Sequence, residues 1–238
     1  MWNEFETKEF IFEERRAIIV CPKVEPNGRI LLRTEYFDAF PAFDIAMLER
    51  GYHLIHLYQR SRWAPDEEID IMARFACYCA ELLNAEKRFV LEGLSCGGLQ
   101  AARFAEKYPE LSAVLYLDAP VLNILSMVGL GECRGDFVEK YWREIVATFG
   151  VSRSTIVNFR KSAIDNMEPL IQNNIPVIMI YGNSDNMVIY EENGKVLENF
   201  YKDNGGTIKV ICKSMCDHHP HGLDDTEIIV EFIEKNYK

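Results

Sequence analysis

Six short runs of nearly unbroken aliphatic residues recur along the chain, at 16–21, 52–57, 88–91, 113–117, 177–181 and 207–212, with helical stretches between most of them. A strand with one face in water alternates apolar and polar side chains, whereas a run such as Val177-Ile178-Met179-Ile180 belongs to a strand covered on both faces. The helical stretches, at 66–84, 98–107, 191–203 and 226–237, carry matching punctuation. Pro65 and Asp66 precede the first, Pro109 follows the second, Asn204-Gly205-Gly206 follows the third, and Asp225 and Thr226 open the last. This alternation predicts an α/β fold with a doubly wound, mostly parallel sheet flanked by helices. A chain of 238 residues fits one such unit, so 1–238 is expected to be a single domain.

The alternation breaks once, between residues 117 and 177, where amphipathic pieces at 136–149 and 154–166 replace any strand-like run. A structureless loop of that length is rare in a compact domain. A small helical cap at about 121–170 is therefore expected, with Gly129, Gly131, Gly135 and Gly150 at its hinges or helix ends.

Charge and cysteine usage narrow the partners. With 26 Lys and Arg against 37 Asp and Glu, the net charge of −11 repels nucleic acid and anionic membrane surfaces. The longest apolar stretch, 113–130, is broken by Asp118, Pro120 and Asn123, which argues against a membrane span. Seven cysteines are odd in number and scattered, and the acidic N-terminus lacks the features of a secretory leader, so a reducing, cytoplasmic location is expected.

The chemistry concentrates in Phe89-Val90-Leu91-Glu92-Gly93-Leu94-Ser95-Cys96-Gly97-Gly98, which runs from strand into helix and contains G-x-S-x-G. A serine on a sharp strand-to-helix turn needs neighbours without Cβ two positions to either side. A glycine-rich turn that merely packs a helix on a strand is the plainer alternative; a phosphate loop is disfavoured because the Lys-Ser/Thr ending is missing.

With this elbow, the interruption after Asp118 and the acid and histidine positions below, the chain resembles the α/β-hydrolase superfamily over nearly its whole length. That resemblance implies an eight-stranded, mainly parallel sheet, here with a strand or two missing at the N-terminal edge. More narrowly, Arg33-Thr34-Glu35-Tyr36-Phe37, Asp118-Ala119-Pro120-Val121 and His218-His219-Pro220-His221-Gly222-Leu223 look like a bacterial subgroup of esterase-like proteins.

Serine attack requires a base oriented by a carboxylate, in the chain order Ser, acid, His for this fold. The resemblance places the acid in the Gly-x-x-Asp that follows the strand at 177–181, hence Asp185, with Asp118 as second choice. Of five histidines, His53 and His56 precede the serine, while His218, His219 and His221 fall in the loop where the family carries its base. Asp217-His218-His219-Pro220 overlays a Gly-His-x-Pro pattern without its glycine, which favours His218 and keeps His219 and His221 as second choices. For the oxyanion, the N–H of Cys96 is the first donor. The second is left between Pro22-Lys23 and Glu35-Tyr36-Phe37, with Tyr36 preferred, and Glu35 and Arg33 are expected to line the substrate pocket.

Other readings of the same residues carry less. Cys96 occupies the variable position after the serine, unsuited to a thiol nucleophile. Cys212, Cys216, His218, His219 and His221 have zinc-ligand chemistry but poor spacing, so neither a structural metal nor a cofactor is expected. Glu92 is either a buried acid paired with Arg33 or an ordinary strand end. Phe137, Tyr141, Trp142 and Phe149 read as cap core before substrate platform. The resulting expectation is a serine esterase for a small or medium ester, with oligomerisation left open. An acyltransferase, thioesterase or peptidase with the same triad, or a non-catalytic binding protein, are the alternatives.

Overall fold

Wholly apolar strands can be buried only if helices cover both faces of their sheet, and that arrangement is present in the computed structural model, which describes residues 1–238. Eight strands, β1 (Thr7–Phe12), β2 (Arg15–Val20), β3 (Ile30–Arg33), β4 (His53–Leu57), β5 (Phe89–Leu94), β6 (Ser112–Asp118), β7 (Val177–Gly182) and β8 (Ile208–Lys213), form one sheet in the order β1-β2-β4-β3-β5-β6-β7-β8. The pairs β1–β2 and β2–β4 are antiparallel and the other five are parallel.

Side chains alternate between two cores along each central strand, as the pleat requires. Ile30 and Leu32 face one core and Leu31 the other; Leu91 and Val90 divide the same way on β5, and Met179 and Ile178 on β7. The larger core lies beneath α2 (Asp66–Leu83), α3 (Cys96–Lys107) and α6 (Gly194–Asp203) and continues into the cap. The smaller is closed by α1 (Ala42–Glu49) and α7 (Glu227–Asn236), through Phe43, Met47, Ile229 and Ile233.

The sheet lacks no strand, contrary to the expectation of a shortened N-terminal edge. Edge strand β1 buries only part of one face, so its Thr-Lys-Glu-Phe-Ile-Phe is half exposed and has no core-like run. Strand β3 is four residues long, below the length at which periodicity stands out.

Between β6 and β7 the chain makes a one-turn π-helical segment (Ser126–Leu130), α4 (Phe137–Phe149), two 3₁₀ turns (Ile156–Asn158 and Ala163–Asp165) and α5 (Glu168–Gln172). The amphipathic piece at 136–149 is α4. The one at 154–166 is not a helix but the two short turns, the second held by a reciprocal capping box between Ser162 and Asp165. Side chains tie this excursion to the core. The Asn193 amide oxygen accepts the N–H groups of Leu122 and Asn123 at 2.9 and 2.8 Å, and the Ser162 hydroxyl accepts that of Ile124 at 3.0 Å. Glu144 of α4 receives a bidentate contact from Arg62 and the Trp63 indole N–H at 2.9 Å.

Candidate active site

The turn from β5 into α3 forces Ser95 to φ +52°, a conformation that L-residues adopt only under constraint. The constraint comes from β6. Ser95 donates its N–H to the Asp118 carbonyl at 3.0 Å, and its own carbonyl accepts the N–H groups of Gly98 and Val121 at 2.9 Å each. Close approach explains two of the glycines. A Cβ on Gly93 would come 2.5 Å from the Gly97 carbonyl oxygen, and one on Gly98 would run into Pro120. The second requirement is set by a residue beyond β6, so no spacing rule within the motif contains it.

Ser95 therefore projects its hydroxyl at the C-terminal edge of the sheet, where the loops after β7 and β8 meet it. The His218 Nε2 lies 3.0 Å from Ser95 Oγ, and His218 Nδ1 lies 2.7 Å from Asp185 Oδ2. The other Asp185 oxygen accepts the N–H groups of Met187 and Val188, both at 2.8 Å. All three side chains are buried, with Ser95 8%, Asp185 9% and His218 5% exposed, so water competes little for these hydrogen bonds. The arrangement fixes His218 with its N–H toward the carboxylate and a lone pair toward the serine.

Asp118 is not part of that chain of contacts. Its carboxylate takes His221 Nδ1 at 2.8 Å, the Gly222 N–H at 2.7 Å and the Tyr116 hydroxyl at 3.3 Å. His219 is exposed and stacks on Phe40. Burial, followed by the neighbouring His218 and His221, holds its imidazole below the usual histidine range. The three rings lie 4.7–5.0 Å apart, centroid to centroid.

A cavity of about 300 Å³ opens over Ser95, walled by Tyr36, Phe40, Leu94, Tyr141 and Met187 together with the three histidines. Tyr36 reaches it from a left-handed turn at φ +54°. As the first residue of α3, Cys96 has no intrahelical acceptor for its N–H. Its thiol is pushed up to about 11 by burial and is no thiolate at neutral pH. Lys23 pairs with Glu4 at the surface, away from this cavity.

Arg33 and Glu35, expected in the pocket, do not line it. Glu35 turns inward and accepts a hydrogen bond from Gln100 at 2.9 Å; burial raises its pKa. Arg33 is 1% exposed, between Asp44 of α1 and Glu92 of β5, whose Oε1 it contacts at 3.1 Å. Its second Nη reaches the carbonyls of Tyr36, at 3.1 Å, and Ala39. Arg33 thus fixes the loop that carries the pocket wall without touching the pocket. Burial raises both acids, Glu92 well above the usual carboxylate range. Asp44 Oδ1 and Glu92 Oε2 are both buried and have no hydrogen-bond partner.

Of the cap aromatics, Tyr141 faces the catalytic cavity and Phe137 an adjoining one, while Trp142 is 9% exposed and Phe149 packs on Phe159. Phe40 and Met187 were missed as pocket residues, because nothing in their spacing separates them from ordinary loop hydrophobics. No helix is long and apolar enough to cross a membrane.

No protein-family model matches the chain, and no curated protein matches it in sequence. Solved structures do. It is similar over 98% of its length to Pyrococcus horikoshii acylaminoacyl peptidase (TM-score 0.75, 15% identity), of which it covers 42%. It is similar over 97% to a Mycobacterium tuberculosis puromycin-hydrolyzing peptidase (0.74, 12%), of which it covers 38%. Over 99% it is similar to Porphyromonas gingivalis dipeptidyl peptidase 4 (0.71, 14%), of which it covers 36%. The chain spans about two fifths of the length of these proteins.

Proposed function

We propose that this chain, which has the α/β-hydrolase fold, is a serine hydrolase that works through an acyl-enzyme on Ser95. The observation that carries the reading is the unbroken hydrogen-bonded series Asp185–His218–Ser95 at the floor of a cavity. In this reading Ser95 Oγ attacks the carbonyl while His218 Nε2 takes its proton, and Asp185 holds the ring and stabilises the imidazolium. The Cys96 and Tyr36 N–H groups receive the oxyanion. His218 then returns the proton to the leaving alcohol or amine, and water, activated by the same imidazole, releases the acid.

The apolar walls and a volume of about 300 Å³ suit a small or medium uncharged acyl or alcohol group. The net charge of −11 adds a bias against anionic substrates. On these grounds a carboxylic ester is the preferred substrate class. The second reading, cleavage of an amide or peptide bond, is favoured by the peptidases among the structural neighbours.

The first test is covalent labelling of the folded chain with a fluorophosphonate. One equivalent on Ser95, located by peptide mass mapping, is the expected result. An unlabelled, folded protein would remove the enzymatic reading in favour of a binding role. A matched ester and amide of one acyl group then separates the two substrate classes: ester turnover with no amide turnover above background supports the first reading, and Ser95-dependent amide turnover the second.

A further inference from the structure

The loop after β8 places one ring nitrogen from each of His218, His219 and His221 within 4.8 Å of the others. Catalysis as proposed above uses only the first. We propose that these three side chains form a reversible inhibitory site for a divalent transition-metal ion of the zinc class, which silences the hydrolase by taking the lone pair of its base. The inference rests on the serine-hydrolase reading for its consequence, but the metal site stands on its own geometry.

Two features carry it. First, the far nitrogens of two rings are already engaged by carboxylates: His218 Nδ1 by Asp185 at 2.7 Å and His221 Nδ1 by Asp118 at 2.8 Å. A carboxylate behind a histidine is how protein zinc sites fix the tautomer and strengthen the ligand, and here it turns Nε2 of both rings away from the carboxylates, that of His218 toward Ser95 Oγ, whose hydrogen bond the metal would displace. Second, the His219 ring is exposed, bordered by Phe40 and the other two imidazoles, and makes no side-chain hydrogen bond, so it can move. A tetrahedral ion with bonds of about 2.1 Å needs its nitrogens about 3.4 Å apart. The ring nitrogens lie within 4.8 Å of one another, so the cluster must tighten by at most about 1.4 Å to hold the ion.

Three imidazole nitrogens suit zinc, and Ser95 stands beside them, its Oγ 3.0 Å from His218 Nε2. The reading differs from the five-residue zinc site weighed on sequence, since Cys212 and Cys216 are not part of the cluster. Bound metal would block the nucleophile without changing the fold, and a chelator would restore it.

The test uses the full chain and Zn²⁺ alone, with two independent readouts: calorimetric binding, and the rate of fluorophosphonate labelling at Ser95 with and without metal in the same preparation. One ion per chain is expected, with labelling slowed at least tenfold and recovered with EDTA. In His219→Ala the zinc affinity should fall by about 10- to 100-fold, the scale on which metal sites respond to loss of their supporting groups. In Cys212→Ser and Cys216→Ser it should be unchanged. Absence of zinc binding, binding that survives His219→Ala, or binding that leaves labelling untouched overturns the inference. A chain that binds zinc through His219 but never labels overturns the catalytic reading instead and leaves the metal site standing.

Discussion

Ser95→Ala should lower kcat on an activated ester by about 10⁶-fold, the scale on which serine hydrolases respond to loss of the nucleophile, and should leave the unfolding midpoint nearly unchanged. The hydroxyl is the only group removed, and its single side-chain partner, His218, keeps its bond to Asp185. Asp185→Asn should cost about 10⁴-fold, because an amide facing Nδ1 can favour the wrong imidazole tautomer. Asp118→Asn should cost less than about tenfold, since its carboxylate reaches His221 and the Gly222 N–H but not the base. Steady-state rates of the three variants with one activated ester decide the matter. If the Asp118 variant were the more damaged, the acid would have to be reassigned to it.

The second large effect is on stability. Arg33→Met should destabilise the fold by about 3–5 kcal/mol at pH 7, because removing one member of a buried ion cluster leaves the other charge unpaired. The cost arises from solvation: with the guanidinium gone, Asp44 and Glu92 remain 0% and 1% exposed. Burial already raises both carboxyls, and without Arg33 they should rise further. The sign follows from linkage. A carboxyl whose folded pKa is raised contributes stability that is fully present below its unfolded value, near the usual carboxyl range, and is lost as pH rises toward the folded value. The Arg33→Met deficit should therefore shrink between pH 7 and pH 5. Urea melts of both proteins at the two pH values measure this, and an equal deficit at both would show that lost packing, not charge, is responsible.

The parts of the molecule that were legible in the sequence are those whose burial leaves a periodic trace. Strands β2 and β4 to β8 and helices α2, α3, α6 and α7 each present a run or a stripe. Ser95 stood out through its G-x-S-x-G at the end of a strand-like run, whereas Asp185 and His218 were expected through the resemblance and not from any spacing that links them to the serine. Strand β1 escaped because an edge strand need bury only half of one face, and β3 because four residues are too few. Arg33 was misplaced for a related reason. Its charge suggested a pocket, whereas register puts it opposite Glu92 on β5 and His56 on β4, on the face where α1 supplies Asp44. The pairing with Glu92 is one of the two sequence readings of that acid, whereas the Asp44 partner leaves no such sign, because it meets Arg33 only once α1 packs on the sheet. The walls contributed by Phe40 and Met187 are loop positions and leave no pattern to read.

The loop from His218 to Gly222 is fastened at both ends to neighbouring strands: His218 to Asp185 beyond β7, and His221 and Gly222 to Asp118 at the tip of β6. A segment clamped at one end swings like a hinge, while one clamped at both behaves as a short beam and yields only when a support gives way. Asp118 ends β6, which is buried throughout, and Asp185 follows β7, which is buried at all but one position. Heat inactivation should accordingly track the melting of the sheet itself, with no inactive but folded interval below it, as parallel activity and circular-dichroism melts would show.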